Sequence, residues 1–85
     1  MSVHKEISAH VEKANKRITE FLALDQKREF YIEEAVELCK QRKPFSTENI
    51  NEVTKQINEL AKQGIVPARK YVTIDMVKEY VGKVQ

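Results

Sequence analysis

The first 43 residues contain neither glycine nor proline. The two prolines are Pro44 and Pro67 and the two glycines are Gly64 and Gly82. Glycine admits positive φ and proline removes a backbone donor, so these residues mark where regular structure stops. Their placement predicts one very long helical stretch followed by two shorter helices. The expected fold is all-α, a three- or four-helix bundle in a single domain, residues 1–85.

The long stretch runs from about residue 3 to 42. Val3, Ile7, Val11, Ala14, Ile18 and Phe21 step by four and three, with Leu22 widening the stripe. That spacing places them on one face of a helix. Ser2 can cap its start and Glu6 lies near the positive end of its dipole. The stripe resumes at Leu24, Tyr31, Ile32, Ala35, Val36, Leu38 and Cys39. Between the two parts, Asp25 and Arg28 fall at the seam positions that Ile7, Val11, Ala14 and Ile18 set. Two readings stay open: a continuous or gently kinked helix, or a break near residues 23–28. A helix of about 38 residues would be about 57 Å long. A compact domain of this size is only roughly 30 Å across. An unbroken helix therefore protrudes and leaves its stripe for another chain to cover. Against a break, Lys27 and Arg28 would oppose the dipole of a helix capped by Asp25, and no glycine or proline supplies a turn.

The second helix is expected over about 47–63. Ser46 is the candidate N-cap, with Phe45 at N′ and Ile50 at N4 in hydrophobic-staple spacing. Ile50, Val53, Ile57 and Leu60 form its apolar face, with Asn58 among the outward residues. Gly64 suits a left-handed C′ position, with Ile65 at C″ placed to contact Leu60. Residues 65–72 read as a connector in which Tyr71 and Val72 could form a short strand without an evident partner. Thr73 then caps a short helix of about 74–83, where Val72 and Val77 repeat the staple and Ile74, Val77, Val81 and Val84 make the apolar face.

Eighty-five residues leave little room for a large core. Fifteen basic against 13 acidic residues, interleaved along the helix, describe a solvated face rather than a dedicated polyanion binder. The lone Cys39 cannot form an intrachain disulfide, which fits a reducing compartment. No apolar run approaches the roughly 20 residues of a membrane span, and residues 1–7 lack a signal-peptide stretch. The expected location is cytoplasmic, with no membrane partner.

Candidate chemistry is sparse. His4 and His10 are six apart, whereas metal pairs on a helix stand three or four apart, and Glu6 with His10 alone makes no site. Cys39 lies near the negative end of a helix without a neighbouring base, which fits a small buried hydrophobe. Glu33, Glu34 and Glu37 lack the histidines of a di-iron bundle and read as an acidic outer face. Phe30 falls off the main stripe beside Tyr31 and points to a second apolar face. No catalytic, metal or cofactor-binding residue is expected. Lys40, Arg42 and Lys43, with Arg69 and Lys70, are the candidates for nucleic-acid contact. Complementing a helix C-terminus and solubilising a connector explain the same two groups.

The segments Glu33–Cys39, Lys43–Ser46 and Ile57–Pro67 resemble those of small proteins from Bacillus-type bacteria, a family with no assigned activity. That resemblance covers the full length and implies no site. Residues 64–73, a Gly-x-x-Pro-x-x-x-x-Val connector leading into a helix, are similar to the DNA-binding region of KfrA-like plasmid proteins. The final helix departs from that pattern, since Asp75 and Glu79 offset Lys78 and Lys83. The expected function is a non-enzymatic helical interaction module that self-associates as a homodimer through the long helix. The alternative is a small nucleic-acid-binding regulator.

Overall fold

A computed structural model describes the backbone of residues 2–84 and the side chains of residues 15–84. It contains three helices and, among the described residues, no strand: α1 (Ser2–Lys40), α2 (Glu48–Ala61) and α3 (Ile74–Val84). The all-α expectation holds, and α1 runs unbroken through Asp25 over 39 residues. The four-helix alternative, a turn near residues 23–28, is excluded. The molecule measures 62 × 20 × 17 Å, and its long axis is close to the length of α1 itself. Its radius of gyration of 17.3 Å exceeds the roughly 12 Å of a compact chain this size. The readings for Ser2, Val3, His4, Glu6, Ile7, His10, Val11 and Ala14 concern side chains outside the described residues.

Both shorter helices pack against α1. Helix α2 runs antiparallel to it. Ile50, near the start of α2, lies with Ala35, whereas Val53 and Ile57 lie with Phe21. The core falls into two clusters. One joins Ala35, Ile50, Val72, Val77 and Val81, with Tyr31, Ile32, Val36, Cys39 and Phe45 against it. The other joins Phe21, Val53, Ile57 and Val66, flanked by Leu24, Leu60 and Ala61. Ile57 is fully buried and Ile50 nearly so, as the three-four spacing of α2 requires.

The helix ends carry the local signals, with three shifts. Helix α2 starts one residue later than expected: Thr47, not Ser46, holds the N-cap position, and its side chain makes no capping bond. The Thr47 hydroxyl instead accepts from the Asn51 side-chain amide at 3.3 Å. Ser46 Oγ takes the Glu48 N–H at 3.4 Å. Second, Gly64 adopts φ +83, and its N–H reaches the Ala61 carbonyl at 2.9 Å. Ile65 nevertheless stays exposed, and Val66 enters the core beside Leu60 in its place.

The third shift concerns Arg42, which has φ +59. Lys43 N–H donates to the Leu38 carbonyl at 2.9 Å and Arg42 N–H to the Cys39 carbonyl at 3.0 Å. Those are the two bonds of a Schellman ending, built here on arginine rather than glycine. At the start of α3, Thr73 caps as expected: its hydroxyl accepts the Met76 N–H at 3.2 Å. Val72 and Val77 are both buried in one cluster, which completes the staple.

Candidate functional site

The connector between α2 and α3 forms no strand. It is held instead by side chains that substitute for a neighbouring backbone. Asn51 accepts the Val72 N–H at 2.8 Å through Oδ1 and donates to the Val72 carbonyl at 2.9 Å through Nδ2. One amide thus satisfies both backbone groups of Val72, as a paired strand residue would. Seven residues on, Asn58 Oδ1 accepts the Arg69 N–H at 2.8 Å. Asn58 is half-buried against the connector rather than outward. From α1, Arg28 Nη2 donates to the Lys70 carbonyl at 2.8 Å.

This strap explains the polar seam positions of α1. Asp25 accepts two bonds from Arg69, from Nε at 3.1 Å and from Nη2 at 3.2 Å. The Arg69 guanidinium also lies 5.3 Å from the centre of the Phe21 ring. Arg28 Nε donates to Thr54 Oγ1 at 2.9 Å, and that hydroxyl donates to the Ile50 carbonyl at 2.8 Å. Thr54 is wholly buried with its hydrogen bonds met. A polar layer therefore crosses the middle of the packed region, and each charge in it has a directional partner.

The nucleic-acid candidates are distributed unevenly. Arg69 is half-buried and engaged with Asp25 and Phe21. Lys70 is exposed at the level of Arg28, to which its carbonyl is bonded. Lys40, Arg42 and Lys43 are exposed at the far end of α1. Twelve residues of helix from Arg28 to Lys40 span about 18 Å. The fold keeps the two groups apart and holds one of the five in an internal ion pair. The partners of Asp25 and Arg28 were not identifiable from spacing, and Asn51, Thr54 and Asn58 carried no local signal beyond polarity on a packed helix.

Cys39 is half-buried against the core cluster of Ala35 and Val77. Glu33, Glu34 and Glu37 are exposed. No group of three His, Cys, Asp or Glu side chains among the described residues is arranged to hold a metal ion. No described helix is long and apolar enough to cross a membrane. A recess of about 250 Å³ lies beside the turn from α1 to α2, between Tyr31, Leu38, Phe45 and Ile50. Its one charged lining residue is Glu34, so no convergent set of acid, base and nucleophile surrounds it.

Among the described residues of α1, two apolar features remain. Ile18 is 41% and Leu22 58% exposed, although both continue the stripe that buries Phe21. Fourteen positions further along, Ile32 and Val36 form the floor of a groove closed on one side by Tyr80 of α3. Its volume is about 430 Å³, and Glu29, Glu33, Glu37 and Lys40 also line it. Phe30, 60% exposed, sets its ring edge-on to Tyr31 at 5.8 Å.

Comparison with known proteins places the chain. The family model described as "Protein of unknown function (DUF2533)" matches residues 1–83, and the chain belongs to that family. It is 51% identical over 81 residues to "Uncharacterized protein YpbS" of Bacillus subtilis (strain 168), covering 95% of each chain. The resemblance to a Bacillus-type family is thereby established, and the likeness to KfrA-like proteins is not shown. No solved structure matches.

Proposed function

We propose that this member of the family is a non-enzymatic interaction module that self-associates through the N-terminal half of α1. One observation carries the reading. The apolar stripe of α1 continues past the last residues that α2 covers. Leu60, Ala61 and Val66 pack at the level of Phe21 and Leu24. Between Ser2 and Phe21 lie nineteen further residue steps of helix, or about 28 Å. Val3, Ile7, Val11, Ala14 and Ile18 keep three-four spacing throughout that length. Chains rarely maintain such a stripe on a helix without a second surface to bury it.

Sedimentation velocity across the micromolar range tests the reading. A concentration-dependent dimer is expected, and Leu22→Glu should shift it towards monomer while the helical circular dichroism stays intact. A monomer at every concentration removes the proposal. The alternative, a nucleic-acid-binding regulator, draws on the exposed Lys40, Arg42, Lys43 and Lys70. It requires binding to duplex DNA or RNA that weakens steeply with salt and with charge reversal at those residues.

A further inference from the structure

Beyond self-association, we propose that the groove between α1 and α3 docks a basic amphipathic helix of another protein.

Helix α3 carries more apolar surface than it buries. Val77 and Val81 are its buried residues. Met76, Tyr80 and Val84 are apolar too, yet they are 43%, 54% and 52% exposed. They stand four apart, so they form one row beside the buried pair. The apolar arc of α3 is therefore wider than the strip that α1 covers. Tyr80, in the middle of that row, walls the groove, and the half-buried Ile32 and Val36 of α1 floor it. Two helices with an apolar valley of about 430 Å³ between them have the shape that receives a third.

Charge selects the kind of helix. Glu29, Glu33 and Glu37 line the groove from α1 and are also four apart, so a carboxylate recurs about every 6 Å. Residues 29–37 hold four glutamates and no lysine or arginine, in a chain whose net charge is +2. The ion pairs among the described residues, Lys62 with Glu59 and Arg69 with Asp25, engage none of the three. Lys40 lines the groove as well, but in the last turn of α1, where a cation complements the helix dipole. It ends the acidic row rather than interrupting it. A helix with a lysine or arginine at each turn, beside an apolar stripe, meets both features at once. Its stripe covers Ile32, Val36 and Tyr80, and its cations face the glutamate row. An acidic helix would reach the same floor only against like charge.

Fluorescence anisotropy with two labelled helical peptides of about four turns tests the proposal. One sets lysines four apart beside a leucine stripe, and the other replaces each lysine by glutamate. The full-length protein should bind the lysine peptide saturably and the glutamate peptide not at all. Glu33→Lys combined with Glu37→Lys should weaken binding by about tenfold or more, and Tyr80→Ser should weaken it several-fold. Glu52→Lys combined with Glu59→Lys makes the same charge change on α2 and should leave binding within about twofold at physiological salt. All five positions are exposed, so the variants should fold, which circular dichroism checks. No saturable binding, equal binding of the glutamate peptide, or equal losses in the groove and α2 variants overturns the proposal. A sedimenting wild-type dimer that Glu33→Lys with Glu37→Lys converts to monomer would place a second copy in the groove. That result also overturns the proposal, while self-association stands.

Discussion

Along α1 the sequence rhythm stays similar while the surroundings of the described side chains change. From Phe21 to Cys39 the stripe is enclosed by α2, the connector and α3, and Phe21 and Ala35 are buried. At Ile18 and Leu22 the same stripe meets solvent. Periodicity alone does not distinguish the halves. The short partners do, because 14 residues of α2 reach about 21 Å along a helix of about 58 Å. Helical spacing tells which face wants burial, and element length tells how much of that face its own chain can cover.

The contrast is sharpest between neighbours. Phe21→Ala should cost about 3–5 kcal/mol, since it empties a packed site beside Val53, Ile57 and Val66. Leu22→Ala, one residue on and 58% exposed, should move stability by no more than about 0.5 kcal/mol under dilute, monomeric conditions. Urea denaturation of both variants at low concentration checks the pair. Equal losses would mean that Leu22 is buried within the monomer.

The packed half depends on its strap, so the next largest effect should fall on Asn51. Asn51→Ala removes both bonds to Val72 and leaves a buried N–H and carbonyl without partners. The expected loss is about 2–3 kcal/mol. Faster amide exchange at Val72 and Thr73, with the first half of α1 unaffected, would localise the change. Uniform exchange along α1 would contradict a strap that acts on one half.

The hydrophobic side of this architecture was legible. Ile50, Val53, Ile57, Val77 and Val81 follow from three-four spacing and are the residues found buried. Thr73 and Gly64 follow from cap chemistry. The polar layer was not legible, because its partners are distant in the chain: Arg28 meets Thr54 at a separation of 26 residues and Asp25 meets Arg69 at 44. A seam carrying Asp25 and Arg28 reads as a turn or as a polar step in one helix until those partners are placed. The same limit governed the candidate site. Arg69 and Lys70 are adjacent in sequence, yet one turns inward to Asp25 and the other stays in solvent.

The Asp25–Arg69 pair gives a smaller effect. Its side chains are 26% and 37% exposed, which places it between a surface and a buried ion pair. A double-mutant cycle with Asp25→Ala and Arg69→Ala should return a coupling of about 1 kcal/mol, falling with added salt. No coupling would assign the role of Arg69 to its position over the Phe21 ring.

The smallest effect compares the two helix ends that enter the left-handed region. Gly64 does so at φ +83, and a Cβ there would meet no neighbour within 4 Å. Any penalty for Gly64→Ala therefore comes from backbone conformation alone, about 1 kcal/mol. Arg42 already bears that strain at φ +59, at the end of the packed half of α1. Arg42→Gly should relieve it and stabilise the fold by up to about 1 kcal/mol, less what glycine gives up in unfolded-chain entropy. The two substitutions run in opposite directions at equivalent positions, so their midpoints in urea should separate with opposite signs from wild type. Destabilisation by Arg42→Gly would mean that the arginine side chain contributes more at this helix terminus than its backbone strain takes away.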